Sequence, residues 1–311
     1  MSSISTSNSA LKAPPGDVWR KCFESGIHVI LMICATVSVI TTVSIVVVLL
    51  TQSLSFFREV SLIDFFTDTR WSPIIKPNQH FGIMPLVCGT VLVAAGSAVI
   101  AIPLGLGTAI YLSEYASAGV RNTVKPLLEI LAGIPSVVFG YVAVVFVSPL
   151  IKSWFPSAEL FNAANACVVV GLMILPMIVS LSEEVLRSVP RSLREAAYAL
   201  GATKLDVTAG VVVPAAMSGI FASFLLAIAR AVGETMAVTL AAGATAQLTL
   251  NPLESIQTMT AYIVEVSSGD IVQGSVEHGT IFAVGMTLFV MTLALNTFAQ
   301  WVLGRMREQY E

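Results

Sequence analysis

Long uncharged runs alternate with short charged ones along this chain. Six runs read as helices that cross a bilayer: Val29 to Phe57, Met84 to Ser113, Ile130 to Ile151, Leu160 to Ser182, Val207 to Ala229 and Phe282 to Gly304. Each reaches the roughly 20 apolar residues that a hydrocarbon core demands, and neither an open sheet nor a loop satisfies its backbone in lipid. A further uncharged stretch, Thr235 to Leu253, is rich in Gly, Thr, Ala, Gln and Asn. It reads as the end of the fifth helix running into an exterior loop. A seventh span is the competing reading, and it moves the C-terminus to the other side. The pattern predicts an all-α polytopic membrane protein.

Positive charge sets the orientation, because Lys and Arg collect on the cytoplasmic side. Arg20 and Lys21 precede the first run, and Arg121 and Lys125 lie between the second and third. Arg187, Arg191, Arg194 and Lys204 lie between the fourth and fifth, and Arg305 and Arg307 follow the last. With six spans all of these share one side, so both termini are expected in the cytoplasm. The first exterior loop, Arg58 to Phe81, carries Phe65, Phe66 and Trp71 among acids and prolines. It reads as an amphipathic segment at the membrane interface, where aromatic rings settle, with a docking surface as the second reading. Residues 1–20 are polar, rich in Ser with Pro and Gly, and read as a disordered tail. The apolar run after them is too long for a cleavable signal.

Composition agrees: 56% of residues are hydrophobic and 11% charged, against about a quarter charged in soluble domains. A net charge of −3 without a basic tract excludes a nucleic-acid surface. Cys22, Cys34, Cys88 and Cys167 form no C-x-x-C pair, and His28, His80 and His278 form no H-E-x-x-H pattern. No metal or redox chemistry is expected of them. Pro103, Pro135 and Pro176 fall inside the apolar runs, where proline kinks a helix. The stretch Gly133 to Ser136 is the strongest candidate for a break that lines a pathway.

The polar stretch Arg187 to Asp206 interrupts this pattern. After Pro190, residues Leu193, Ala196, Ala197 and Leu200 recur at i, i+3, i+4 and i+7, one apolar face of a short helix. Arg194 and Glu195 flank it, Tyr198 adds an aromatic anchor, and Gly201 can end the helix in a left-handed conformation. Such a helix suits a groove on a soluble partner. The periodicity alone serves equally a helix that only joins two spans. Arg230 and Glu234, in ARAVGETMAVT, stand four residues apart near the end of the fifth run, on one helix face if that helix continues. An ionisable residue at membrane depth marks function by default. The pair reads either as a structural ion pair or as an anion station, in which the Arg fork meets the oxygens of a passing anion and Gly233 allows close approach.

The spacing from Glu195 to Pro214 resembles the EAA loop of bacterial ABC importer permeases: Glu-Ala-Ala, three residues, Gly, then an aliphatic-x-aliphatic-Pro end nine residues on. RAVGETMAV from Arg230 and AGIPSVVFGY from Ala132 are similar to two stretches of the PstC-type permeases of phosphate importers. The related PstA-type typically reads GETAP where this chain has GETMA. The resemblance implies a type I ABC importer permease architecture of six transmembrane helices over residues 21–311. It implies a cytoplasmic coupling loop about 187–214 and periplasmic loops about 58–82 and 244–276. It implies a bacterial inner-membrane heterodimer with a PstA-type permease, a cytoplasmic ATPase dimer and a periplasmic phosphate-binding protein. Arg194, Glu195, Ala196, Ala197, Tyr198, Leu200 and Gly201 are the implied ATPase contact. Arg230, Glu234, Gly233, Ser136 and Pro135 are the implied path of inorganic phosphate. The chain lacks G-x-x-x-x-G-K-[ST] and any Gly-Lys pair, so it holds no P-loop. No cofactor is expected in this chain, with ATP and Mg on the partner ATPase. The rival readings are an ABC permease for sulfate or molybdate, a secondary anion transporter, and an intramembrane hydrolase. No convincing internal repeat supports the second, and no Ser-His, paired-Asp or H-E-x-x-H set supports the third.

Overall fold

A computed structural model describes residues 17–74, 78–269, 272 and 274–307. Two compact units divide the chain between Thr51 and Gln52. The first is helix α1 (Asp17–Phe56) as far as Thr51. Its start makes Asp17 to Arg20 helical, a correction to the tail expected through residue 20; the rest of that tail lies outside the described residues. Thr36, Thr41 and Thr42 donate their hydroxyls to the carbonyls four residues earlier, at 2.8–3.0 Å. Polar groups in this apolar helix are thereby satisfied internally.

The second unit is a helical bundle with a small cap. The cap comprises α2 (Leu62–Thr67) and a two-residue hairpin of β1 (Trp71–Ser72) with β2 (His80–Phe81). The bundle follows as α3 (Met84–Ile110), α4 (Ala118–Gly133), α5 (Ser136–Val142), α6 (Ser148–Trp154) and α7 (Ala163–Ser188). Then come α8 (Arg191–Ala199), α9 (Lys204–Val207), α10 (Val213–Val232), α11 (Met236–Ala241), α12 (Met259–Ser268) and α13 (Val276–Arg307). Wide π-turns at 143–147 and 208–212 each end two residues before a proline, Pro149 or Pro214. The proline lacks the N–H that would close an ordinary turn there.

Among the described residues, six helical stretches are long and apolar enough to cross a membrane: Phe23–Phe56, Met84–Tyr115, Ser136–Trp154, Ala163–Ser188, Lys204–Val232 and Val276–Arg305. Two expectations change in detail, and the competing seventh span falls away. The third span begins at Ser136 and not at Ile130, because Ile134 and Pro135 are extended and the residue before a proline avoids the helical region. Residues 118–133 form a separate amphipathic helix. The seventh span is not formed: α11 has six residues, about 9 Å of helix.

The second change concerns the expected exterior loop. Ala237, Val238, Ala241 and Ala242 lie in the main core, with Ala163, Val170 and Ile174 of α7. Beyond them Ile256, Gln257 and Thr258 are buried, and Gly89 of α3 admits the backbone, since a Cβ there would stand 2.4 Å from the Gln257 carbonyl oxygen. Met259 N–H donates to Thr90 Oγ1 at 3.0 Å. Non-helical backbone is tolerated at such depth when protein surrounds it.

α3 and α7 pack closely through small residues. A Cβ on Gly105 would sit 2.6 Å from Ile178 Cγ2, the small-residue contact by which membrane helices associate. α10 joins them through a buried hydroxyl pair, Ser182 and Ser223 at 2.8 Å. One end of α3 enters an aromatic cluster in the cap, where Phe65 is fully buried and Trp71 meets Tyr262 edge-on at 4.9 Å. Phe65 and Trp71 are therefore core residues, a correction to the interfacial reading; Phe66 of the same loop stays exposed. The hairpin is held by His80 Nδ1, 2.9 Å from Asp68 Oδ2. Burial acts to raise the Asp68 carboxyl, but the bonds to His80 and to the Arg70 and Thr69 backbone outweigh it and hold its pKa below 3.8.

Candidate functional site

Two regions at different depths of the bundle carry the sequence candidates. In the first, two chain breaks lie side by side. α4 stops at Gly133 and α5 restarts after Pro135; α10 stops at Val232, capped by Gly233, and α11 restarts at Met236. The half-helices that follow, α5 and α11, pack on each other through Gly140. A Cβ there would meet Leu240 Cβ at 2.8 Å and the Ala237 carbonyl at 3.2 Å. Segments a hundred residues apart in sequence thus meet in one place.

Arg230 sits in the last turn of α10 and lines a cleft of about 360 Å³ with Glu129 and Ala132 of α4 and Met173, Pro176 and Ser180 of α7. Its side chain is exposed and makes no ion pair among the described residues. Glu234 does not share a helix face with it, because the helix has already ended. Instead Glu234 Oε1 accepts from Ala237 N–H at 3.2 Å, and the Glu234 carbonyl accepts from Thr260 Oγ1 at 2.8 Å. The expected Arg–Glu facing pair is replaced by a lone guanidinium and a carboxylate that caps the next helix. Gly233 and Pro135 are exposed and Ser136 is half-buried. Ser136 begins α5, within reach of the same break; Glu129 joins the cleft although the sequence had not singled it out.

The second region is the end of the bundle that carries α8. Pro190 precedes the helix and Gly201 follows it with φ of +82°. Gly201 N–H donates to the Tyr198 carbonyl at 2.9 Å and Ala202 N–H to the Ala197 carbonyl at 3.2 Å, the paired bonds of a glycine-stopped helix end. Ala197 is half-buried against the bundle. Leu193 and Tyr198 are each 46% exposed, Leu200 is 90% exposed, and Glu195 and Ala196 are also exposed. Most of the apolar face read in the sequence therefore points away from the bundle. Arg194 turns inward: Nη1 lies 3.0 Å from Glu114 Oε1, and Nη2 donates to the Leu186 carbonyl at 2.7 Å. It fastens α8 to the ends of α3 and α7.

A second anchor was not foreseen. Glu183 of α7 is 2% exposed and receives Arg121 Nε at 3.0 Å, Lys125 Nζ at 2.8 Å and, more distantly, Arg187 Nη1 at 3.4 Å. This buried carboxylate ties α4 to α7. Its signal in the sequence was the Glu183–Glu184 pair at the edge of an apolar run, opposite a cluster of basic residues that need a counter-charge.

The family described as "Binding-protein-dependent transport system inner membrane component" matches residues 101–308. The "Probable ABC transporter permease protein YqgH" of Bacillus subtilis is 34% identical over 280 residues, 89% of this chain and 90% of that protein. The "Phosphate transport system permease protein PstC" of Mesorhizobium japonicum is 33% identical over 273 residues, 82% of this chain and 81% of that protein. Among solved structures, a bacterial alginate ABC transporter in complex with an alginate pentasaccharide-bound periplasmic protein superposes with a TM-score of 0.61. It covers 91% of this chain and 94% of that one at 14% identity, a likeness of fold alone.

Proposed function

The chain belongs to the binding-protein-dependent inner membrane component family, and from that premise we propose that it is the PstC-type permease subunit of an ATP-driven inorganic phosphate importer. The observation that carries the substrate is identity with a phosphate permease over four-fifths of the chain. Six apolar helices make the chain a multi-pass inner-membrane protein. We place the α8 end and both termini in the cytoplasm, because Arg121, Lys125, Arg187, Arg191, Arg194 and Lys204 gather there.

The chain works with an ATPase dimer, an external binding protein and a second permease, which we take to be of the PstA type. ATP and Mg reside on the ATPase chains. The exposed face of α8, with Leu193, Tyr198 and Leu200, enters a groove on the ATPase. When the ATPases close, α8 moves, and its Arg194–Glu114 clamp hands the motion to α3. The tight α3–α7 contact at Gly105 keeps those helices together, so the displacement reaches the paired breaks as a rigid shift.

At the breaks, Arg230 meets the anion. A free guanidinium at membrane depth requires water or a counter-charge, and the path between the two permeases supplies both. Its planar fork matches phosphate oxygens. Glu234 acts on the path by holding the start of α11, not by neutralising Arg230.

The test is ATP-driven uptake by the purified complex in vesicles loaded with ATP, with phosphate, sulfate and molybdate offered separately. Uptake of phosphate in preference to the other two is expected. Preference for sulfate or molybdate overturns the substrate, and uptake driven by an ion gradient without ATP overturns the class.

A further inference from the structure

We propose that an arginine-lined cavity beside α8 binds a phosphate group, distinct from the transport path. The cavity has a volume of about 340 Å³, and Ser113, Ala118, Arg121, Arg187, Arg191 and Arg194 line it. Ser113 lies just beyond α3, Arg121 is on α4, Arg187 ends α7, and Arg191 and Arg194 begin α8. Four guanidinium groups from three helices face one space.

The local carboxylates do not match this charge. Glu183 serves Arg121, Lys125 and Arg187, and Glu114 serves Arg194. Four cations thus share two carboxylates, and Arg191, a fifth, makes no ion pair among the described residues. Donors are left over as well. Arg194 Nε is buried without an acceptor, and Arg121 Nε, although 3.0 Å from Glu183, lacks the alignment a hydrogen bond needs. Both Nε atoms are enclosed by protein; it is the excess of guanidinium groups over carboxylates around the cavity that suits a ligand bringing oxygens. The N-terminus of α4 opens onto the same space at Ala118, and its dipole adds to the attraction for an anion. A doubly charged phosphate group fits best, because it accepts several forks at once. A singly charged carboxylate leaves most of the excess uncompensated.

The occupant crosslinks α8 to α4 and α7. Its binding stiffens the coupling helix against the bundle and so links the concentration of phosphate groups on this side to ATPase coupling. Placing that side in the cytoplasm rests on the orientation proposed above. Two sources share the chemistry: free inorganic phosphate and the headgroup of an anionic phospholipid.

The full-length chain in phosphatidylcholine nanodiscs is titrated calorimetrically with inorganic phosphate and, as a control, with chloride. Saturable binding of phosphate but not of chloride is expected. Arg187→Gln with Arg191→Gln should weaken it at least tenfold. Ala118→Glu, on an exposed first turn that tolerates an acid, should do the same without disturbing the fold. The component of binding lost in the cavity variants should persist in Arg230→Gln, which separates the cavity from the path and from any failure of the transport assignment. In phosphatidylglycerol nanodiscs a lipid occupant abolishes the phosphate signal and is retained in native mass spectra by the parent chain but not by Ala118→Glu. Either occupant supports the site. Absence of both, or binding that is equal in the parent and the cavity variants, overturns it.

Discussion

Arg230 and Glu234 show how a single residue's role depends on where its helix stops. Because Glu234 lies past the end of α10 and accepts from Ala237 N–H, the two act separately. Arg230→Gln is expected to abolish phosphate uptake per assembled complex, and Arg230→Lys to restore part of it, since a point charge replaces a fork. Glu234→Gln retains the acceptor oxygen and should keep most uptake, whereas Glu234→Ala removes a cap worth about 1 kcal/mol. Charge exchange between the two positions should not rescue transport; a swapped pair that restored both yield and uptake would refute this separation. Glu183→Gln strands three cations around a buried neutral group, so a loss on the order of 3 kcal/mol is expected. It should appear as a lower unfolding temperature and lower yield of the purified chain. Asp68 responds to acid. Its carboxyl titrates below its ordinary value in the folded chain, so its contribution is complete above the unfolded pKa of about 3.9 and disappears as pH falls through the lower folded value. Amide exchange in the hairpin should therefore quicken only below about pH 4, and Asp68→Asn should remove that dependence. The types of these residues were legible in the sequence; their partners were not, because Glu183 meets Arg121 across 62 positions of chain and Asp68 meets His80 across a loop.

At the scale of elements, α8 was read almost whole. Its start after Pro190, its stop at Gly201 and its apolar face follow from local sterics and periodicity, which need no distant contact. The direction of that face was decided by packing: Ala197 is taken by the bundle, while Leu200 is left 90% exposed. Leu200→Glu should therefore abolish ATPase co-purification with little change in yield of the membrane chain. Gly201→Val forces a branched side chain into φ of +82°, at a cost of roughly 1–2 kcal/mol, and should lower both coupling and yield. Normal ATPase binding and uptake in the Leu200 variant would remove α8 from the docking role. The stretch around Pro135 was also visible as a candidate break; the stop at Gly233 was not, since Arg230 and Glu234 read as one continuing helix face. Their meeting through Gly140 and Leu240 was not visible either, since nothing local in either segment refers to the other.

For the whole molecule, six spans place the 242–258 segment and α8 on opposite sides of the bilayer. Single cysteines at exposed Asn251 and Ser192, in a background without the four native cysteines, should label from opposite faces with a membrane-impermeant reagent; labelling from one face would end the six-span arrangement. The membrane class and the clustering of basic residues were determined by the sequence itself, which also narrowed the spans to six or seven. They depend on the length of apolar runs against a fixed hydrocarbon thickness and on the placement of Lys and Arg, both local quantities. The stop of α8 at Gly201 belongs with them, because a left-handed residue needs no neighbour. Only the tertiary structure decided that residues 237–242 and 256–262 enter the core, where small side chains such as Gly89 let the backbone approach. It alone turned Glu234 into a cap and gathered Glu183, Glu114 and the arginines at one end. Those outcomes depend on which distant groups satisfy each other's hydrogen bonds and charges once buried, and periodicity along the chain carries no record of that pairing.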